Sequence, residues 1–122
     1  MLRIDHVQIA IPLGAEDQCR RFYVDVLGME EVRKPANLVA RGGFWVRQGA
    51  VQIHLGVEQD FRPARKAHPA IVVQNLDSLA ARLAQAGYPP QWNAEIPEVR
   101  RFHVSDPLGN RLEFMAEEVQ HG

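Results

Sequence analysis

The chain has 122 residues, enough for one domain or for two small units that share a core. Charged residues make up 24% of it and the net charge is −1, so no broad basic surface for nucleic acid is expected. The single cysteine excludes an internal disulfide, and no apolar run is long enough for a signal peptide or a membrane span, so a cytoplasmic protein is expected.

The first half of the chain has the pattern of a strand, a helix and three further strands. A strand-like run over residues 3–11 precedes apolar residues at helical spacing over 15–27, and Gly28 is suited to end that helix. A short strand is then expected at 30–33. A hairpin follows, with strands at 44–47 and 51–55.

The second half repeats this order. A strand-like run at 68–73 precedes a helix at 76–86, for which Asn75 provides an N-cap and Gly87 an end. A short strand is expected at 90–93. The turn 106–110 then joins two strands of a second hairpin, at 101–105 and 111–115.

These elements predict an α+β fold of two βαβββ modules. Module one covers about residues 1–58, a connector covers about 59–67, and module two covers about 68–119. The two modules together form one domain.

Potential metal ligands occupy matching places in the two halves. His6 and His68 open the first strand of each half, while His54 and Glu113 lie within the last strand of each half. Each half supplies one donor near its start and one near its end. Two such halves can gather four donors around one point. We therefore predict a metal site formed by His6, His54, His68 and Glu113.

Strand alternation places polar residues on the same faces as these candidates, because residues two apart on a strand share a face. The opposite faces of three of the four strands are apolar and are expected to pack on the helices. We predict that the polar neighbours of the candidate ligands, namely Gln8, Gln52 and Arg111, bind substrate.

Two further histidines fall outside the repeat. His103 lies in a predicted strand whose facing the sequence does not determine, and a structural role is favoured for it. His121 lies beside the C-terminus and is expected to be disordered.

Three imidazoles and a carboxylate suit a divalent ion such as Zn, Ni, Co, Mn or Fe(II), one per site. Four protein donors on an octahedral ion leave two adjacent positions for two neighbouring oxygens of a substrate, which would stabilise an enediolate. Glu113 is also the candidate catalytic base.

The chain resembles the vicinal oxygen chelate superfamily, which includes glyoxalase I, extradiol dioxygenases and bleomycin-resistance proteins. The motifs are Ile4-Asp5-His6-Val7, the run from Arg21 to Met29, His68, and the run from Asp106 to Glu113. The resemblance implies a cupped mixed sheet around a divalent metal with the helices on its outer face, and it implies a homodimer. It also implies that His6, His68 and Glu113 are metal ligands, whereas His54 stands where glyoxalase I has a carboxylate.

Three functions remain open at this point. The first is a metal-dependent, glyoxalase-like lyase or isomerase that acts on a small substrate with vicinal oxygens. The second is an extradiol-type Fe(II) dioxygenase, since two histidines and a carboxylate are the ligands of such enzymes. The third is a drug-binding protein of the bleomycin-resistance type that uses no metal.

Overall fold

The computed structural model describes residues 1–117, in which two modules each combine a four-stranded mixed sheet with a helix. The predicted α+β fold of paired βαβββ units is confirmed. The expectation for His121 lies outside the described residues.

In module one, β1 is parallel to β4 and the other neighbours are antiparallel, in the order β1-β4-β3-β2. Its elements are β1 (Val7–Ile11), α1 (Glu16–Arg20), a π-helical segment (Arg21–Val26), β2 (Glu30–Val32), a 3₁₀ helix (Ala36–Arg41), β3 (Phe44–Gln48) and β4 (Val51–Val57).

The helix predicted over 15–27 is present but changes its hydrogen bonding along its length. The Leu27 amide donates to the Phe22 carbonyl at 2.9 Å, five residues back, which is the π pattern. Gly28 then takes a left-handed φ of 78°, and the Met29 amide bonds back to the Tyr23 carbonyl. This closure is the predicted glycine stop. The 3₁₀ helix was not predicted.

Module two repeats the topology, in the order β5-β8-β7-β6 with β5 parallel to β8. Its elements are β5 (Ala70–Val73), α2 (Leu76–Gln85), β6 (Gln91–Asn93), β7 (Arg101–Ser105) and β8 (Arg111–Ala116). Asn75 caps α2 as predicted, because its side-chain oxygen accepts from the Ser78 amide at 3.1 Å.

The apolar faces of both sheets and both helices contribute to one cluster of buried side chains. Phe22 of module one packs edge-on against Tyr88 of module two, with ring centroids 4.9 Å apart. The opposite faces of the sheets carry the polar residues, such as Gln8 on β1, which is exposed. The core therefore lies between the modules on their helical side.

A buried polar network joins the modules through the turn between β7 and β8. The Asp106 carboxylate accepts the Tyr23 hydroxyl at 2.8 Å, the amides of Leu108 and Asn110 at 2.9 Å, and the Asn110 side chain at 3.1 Å. The same Asn110 side chain donates to the Ala10 carbonyl of β1 at 2.9 Å. Burial and the nearby Asp106 charge raise the pKa of the Tyr23 hydroxyl well above its ordinary value, so it remains a donor.

Within residues 1–117, no helix is long and apolar enough to cross a membrane.

Replacing Tyr23 by Phe should destabilise the fold, because the buried Asp106 carboxylate loses a donor while the aromatic ring remains. We expect a loss of about 1–3 kcal/mol in the free energy of unfolding, measured by urea denaturation. Tyr88→Phe is the matched control, since it keeps the ring contact with Phe22, and its effect should stay within about 0.5 kcal/mol. Equal effects of the two substitutions would contradict the role assigned to the Tyr23 hydroxyl.

Candidate functional site

Two histidines and a glutamate meet on the polar face of module two. Nε2 of His68 lies 3.0 Å from Oε1 of Glu113, and Nε2 of His103 lies 3.1 Å from the same oxygen. The donor atoms of these three residues all lie within 4.8 Å of one another. Arg101 donates to the other oxygen of Glu113 at 3.3 Å.

Strand pairing creates this cluster. Glu113 lies on β8 between Ala70 of β5 and His103 of β7, which are its partners in register. His68 precedes β5 by two residues and so shares the side of Ala70. Glu113 is 5% exposed, because its flanking residues Leu112 and Phe114 enter the core on the opposite face.

The ring of His68 is oriented by the backbone. Its Nδ1 lies 2.7 Å from the carbonyl oxygen of Lys66, which can only accept, so Nδ1 carries a proton. Nε2 then points at Oε1 of Glu113, donating to it when the ring is doubly protonated and presenting a lone pair when the ring is neutral. A histidine that binds a metal usually donates its other N–H to a carbonyl or a carboxylate in this way.

The Glu113 carboxylate is ionised. Desolvation raises its pKa, but hydrogen bonds from His68 and Arg101 and the charges of Arg101 and His103 outweigh that effect, and the net pKa lies below its ordinary value. A carboxylate that is ionised and nearly buried is a suitable ligand for a cation.

The two candidate histidines of module one form a stack with a tryptophan. The ring of His54 lies between those of Trp45 and His6, with both centroid distances 3.9 Å and interplanar angles of 3° and 14°. Trp45 is the register partner of His54 on β3, and Gln8 is its partner on β1. Nδ1 of His6 lies 2.9 Å from a carboxylate oxygen of Asp5.

His54 is 6% exposed, and its Nε2 has no hydrogen-bond partner within residues 1–117. Burial lowers the pKa of this imidazole, and His6 and Lys34 lower it further despite the opposing effect of Asp5. The ring is therefore neutral, and its unpaired nitrogen is available to an external partner.

The four residues predicted as ligands thus form two groups in one chain. His68 and Glu113 are in contact in module two, and His6 and His54 are in contact in module one. The three-residue group in module two includes neither His6 nor His54. The ligand role of all four residues stays a prediction.

The three predicted substrate-binding residues lie on the expected faces. Gln52 is two residues before His54 on β4, and Arg111 is two residues before Glu113 on β8. Gln8 lines a groove of about 150 Å³ together with Lys34, Arg41 and Trp45. A Cβ at Gly56 would collide with the Gln8 amide, so the Gln8 side chain can keep this position only beside a glycine and would otherwise have to move.

His103 is the site residue that sequence reasoning missed. The signal was present in the hairpin, because a turn at 106–110 pairs Ser105 with Arg111 and therefore His103 with Glu113. The face of the sheet on which His103 lies follows from that register. The sequence pattern located the turn, but the strand pairing was needed to determine which way His103 points.

The residues present fit a divalent cation. Their donors are imidazole nitrogens and a carboxylate, the ligand set that Zn, Ni, Co, Mn and Fe(II) share. The unpaired, buried Nε2 of His54 is a donor that a cation would satisfy. No thiolate is near, since Cys19 is in the core and burial raises its pKa to about 12.

The chain is similar to known proteins over nearly its whole length. The sequence model of the Glyoxalase/Bleomycin resistance protein/Dioxygenase superfamily matches residues 3–114. A solved structure from Bacillus anthracis, assigned to the glyoxalase family, is 47% identical, with 96% of each chain covered and a TM-score of 0.92. A comparison with curated proteins gave no match.

More distant structures share the fold alone. A lactoylglutathione lyase from Agrobacterium tumefaciens is 17% identical with a TM-score of 0.68, covering 95% of this chain and 96% of its own. An antibiotic-binding protein, TnmS3 from a Streptomyces species, is 20% identical with a TM-score of 0.70, covering 95% and 98%. One fold therefore serves both a lyase and a binding protein.

The lowered pKa of His54 makes the stability of the metal-free protein sensitive to acid. The unfolded chain binds a proton at this residue near its ordinary pKa of 6.5, while the folded chain resists binding it. Stability from this residue is present above pH 6.5 and is lost as pH falls toward the lower folded pKa. Between about pH 7 and pH 5, His54→Gln should therefore lose less unfolding free energy than the parent in urea titrations. Parallel pH profiles for the two proteins would contradict this assignment.

Proposed function

The chain belongs to the Glyoxalase/Bleomycin resistance protein/Dioxygenase superfamily, and on that premise we propose that it is a metal-dependent, glyoxalase-like enzyme. Its substrate in this proposal is a small molecule with two neighbouring oxygens, and the reaction is that of a lyase or isomerase. The observation that carries the proposal is the contact between Nε2 of His68 and the ionised Glu113, with His68 held in the orientation of a ligand.

The proposed ligands are His6, His54, His68 and Glu113. A divalent ion held by them would polarise a substrate carbonyl and stabilise the negative charge that develops on its oxygen. The protein supplies the other parts of the chemistry. Gln8, Gln52 and Arg111 lie on the ligand faces, where they would orient the substrate oxygens.

Glu113 is the proposed base that removes a proton from the substrate carbon. The hydrogen bonds that lower its pKa make it a weak base in the resting site. Release of the contact with His68 or Arg101 when substrate binds would raise that pKa and let Glu113 accept the proton. Arg101, 14% exposed in its side chain, would remain close enough to stabilise a negative charge.

A second copy of the chain is proposed to bring the two groups of donors together. Apolar side chains lie exposed beside the candidate ligands of each module. Ile4 is 78% exposed next to His6, and Val72 is 57% exposed on the Glu113 face of β5. In a symmetric dimer, His6 and His54 of one copy would face His68 and Glu113 of the other, and each dimer would contain two such sites. A cytoplasmic location stays a prediction.

The composition of the module-two group favours a second candidate. Two histidines and one carboxylate within 4.8 Å are the ligand types of non-haem Fe(II) oxygenases. A dioxygenase is distinguished by metal identity: catechol-dependent oxygen uptake by the iron-loaded protein, with none by the zinc-loaded protein, would favour it.

Proton removal next to a carbonyl can be measured before the natural substrate is known. The protein loaded with Co²⁺, Ni²⁺ or Zn²⁺ should exchange the C–H hydrogen of hydroxyketones or hemithioacetals with deuterium from solvent, followed by NMR. Glu113→Gln should slow this exchange about a hundredfold or more, because the proton acceptor is lost.

Ser105→Ala is the control for this experiment, since Ser105 lies on the same face of the hairpin as Glu113 and is exposed. Bound metal is measured in each sample, so that loss of the ion is separated from loss of the base. Full exchange by a metal-loaded Glu113→Gln variant would rule out Glu113 as the base.

A metal shared between two copies must strengthen the dimer, because an ion that binds the dimer better than the monomer shifts the equilibrium by mass action. In sedimentation experiments near the dimer midpoint, Co²⁺ should lower the dimer dissociation constant of the parent about tenfold or more. His6→Ala/His54→Ala should remove that dependence on Co²⁺. A dimer affinity that responds to Co²⁺ equally in the parent and the double variant would refute the shared site.

A further inference from the structure

We propose that His103 is a direct donor of the cation site, so that His68, His103 and Glu113 hold a divalent ion within a single chain. The inference rests on the proposed function, because it concerns the same ion. His103 is a ligand that the repeat pattern of the sequence did not contain. In this inference, module two holds the metal.

The first argument is the spacing of the donor atoms. Oε1 of Glu113 lies 3.0 Å from Nε2 of His68 and 3.1 Å from Nε2 of His103. Ligands at about 2.1 Å from an ion, at right angles to one another, lie about 3 Å apart. These two separations therefore allow the three residues to be neighbouring ligands of one ion, with all donor atoms within 4.8 Å of one another.

The second argument is the direction of the lone pairs. The Lys66 carbonyl holds a proton of His68 on Nδ1, so Nε2, which faces Oε1 of Glu113 at 3.0 Å, is the nitrogen available to an ion. A proton on Nε2 can hold these two atoms together in the metal-free protein, and a metal ion would replace it. His103 directs its Nε2 at the same oxygen from another side, with its ring at 83° to that of His68. Three donors thus converge on one point from different directions.

The third argument is the rigidity of the position. His103 is the register partner of Glu113 in the β7–β8 hairpin, and the turn of that hairpin is held by the buried Asp106 network. Its side chain is 16% exposed, so it has little freedom to turn away. At the corresponding place of module one, beside His54, stands Trp45, which cannot ligate an ion through its indole N–H. The two modules therefore differ in their capacity to hold a metal.

A donor at His103 changes the count of ligands around the ion. Three donors from one chain and one imidazole from the module-one stack of a second copy make four protein ligands. An octahedral ion then keeps two positions for the substrate oxygens, as the proposed chemistry requires. This count revises the proposed set of four ligands, since only one of His6 and His54 would remain on the ion.

The test is titration of the metal-free, full-length protein with Co²⁺, followed by its visible absorption. His103→Ala should weaken Co²⁺ binding about tenfold or more, as His68→Ala does. Ser105→Ala, two residues along the same face of β7, should bind as the parent does. His6→Ala/His54→Ala should still bind one ion per chain through the module-two trio.

X-ray absorption of the zinc-loaded proteins counts the imidazoles on the ion and separates ligation from mere support of Glu113. His103→Ala should have one imidazole fewer than the parent. Weaker binding with an unchanged count would overturn the proposal, since His103 would then only position Glu113. Binding equal to that of Ser105→Ala would also overturn it.

The parent protein provides a check that needs no variant, in case His103→Ala does not fold. On addition of Zn²⁺, the ¹⁵N signals of Nε2 in both His68 and His103 should move to the range of metal-bound imidazole. Movement of the His68 signal alone would overturn the inference and leave the proposed metal enzyme intact. Absence of any metal binding by the parent would overturn both.

Discussion

The buried Asp106 carboxylate is the constraint on which the arrangement of this molecule depends. It binds the Tyr23 hydroxyl of module one and the backbone of its own turn, and Asn110 extends the network to β1. A buried charge of this kind is costly unless every donor is in place. The helical sides of the modules are therefore held together in one orientation, and the turn that positions β7 and β8 is held by the same contacts.

The apolar faces and helices of both modules share one core, and among residues 1–117 the group of candidate ligands that meets is His68, His103 and Glu113 of module two. The proposed second copy would bring the donors of the two modules together, and the exposed apolar side chains of Ile4 and Val72 favour such a contact.

The two ligand faces are chemically unequal despite their common topology. Module two gathers a carboxylate, two imidazoles and Arg101, so charge is concentrated there. Module one presents a neutral His54 between two flat rings, beside a groove with Lys34. The two matched pairs differ at both positions, with Trp45 against His103 on β3 and β7 and His54 against Glu113 on β4 and β8.

The sequence by itself determined the elements and the faces. Period-two alternation in β1, β4 and β8 and helical spacing before Gly28 and Gly87 are local properties, so strands, helices and the side of His54 or Glu113 could be predicted from residue order. The tertiary structure alone decided which donors meet. The contact of His103 with Glu113 depends on the register of the β7–β8 hairpin, which the turn at 106–110 only locates, and the contact of His68 with Glu113 joins residues 45 positions apart. Local residue order carries no signal for a contact of the second kind.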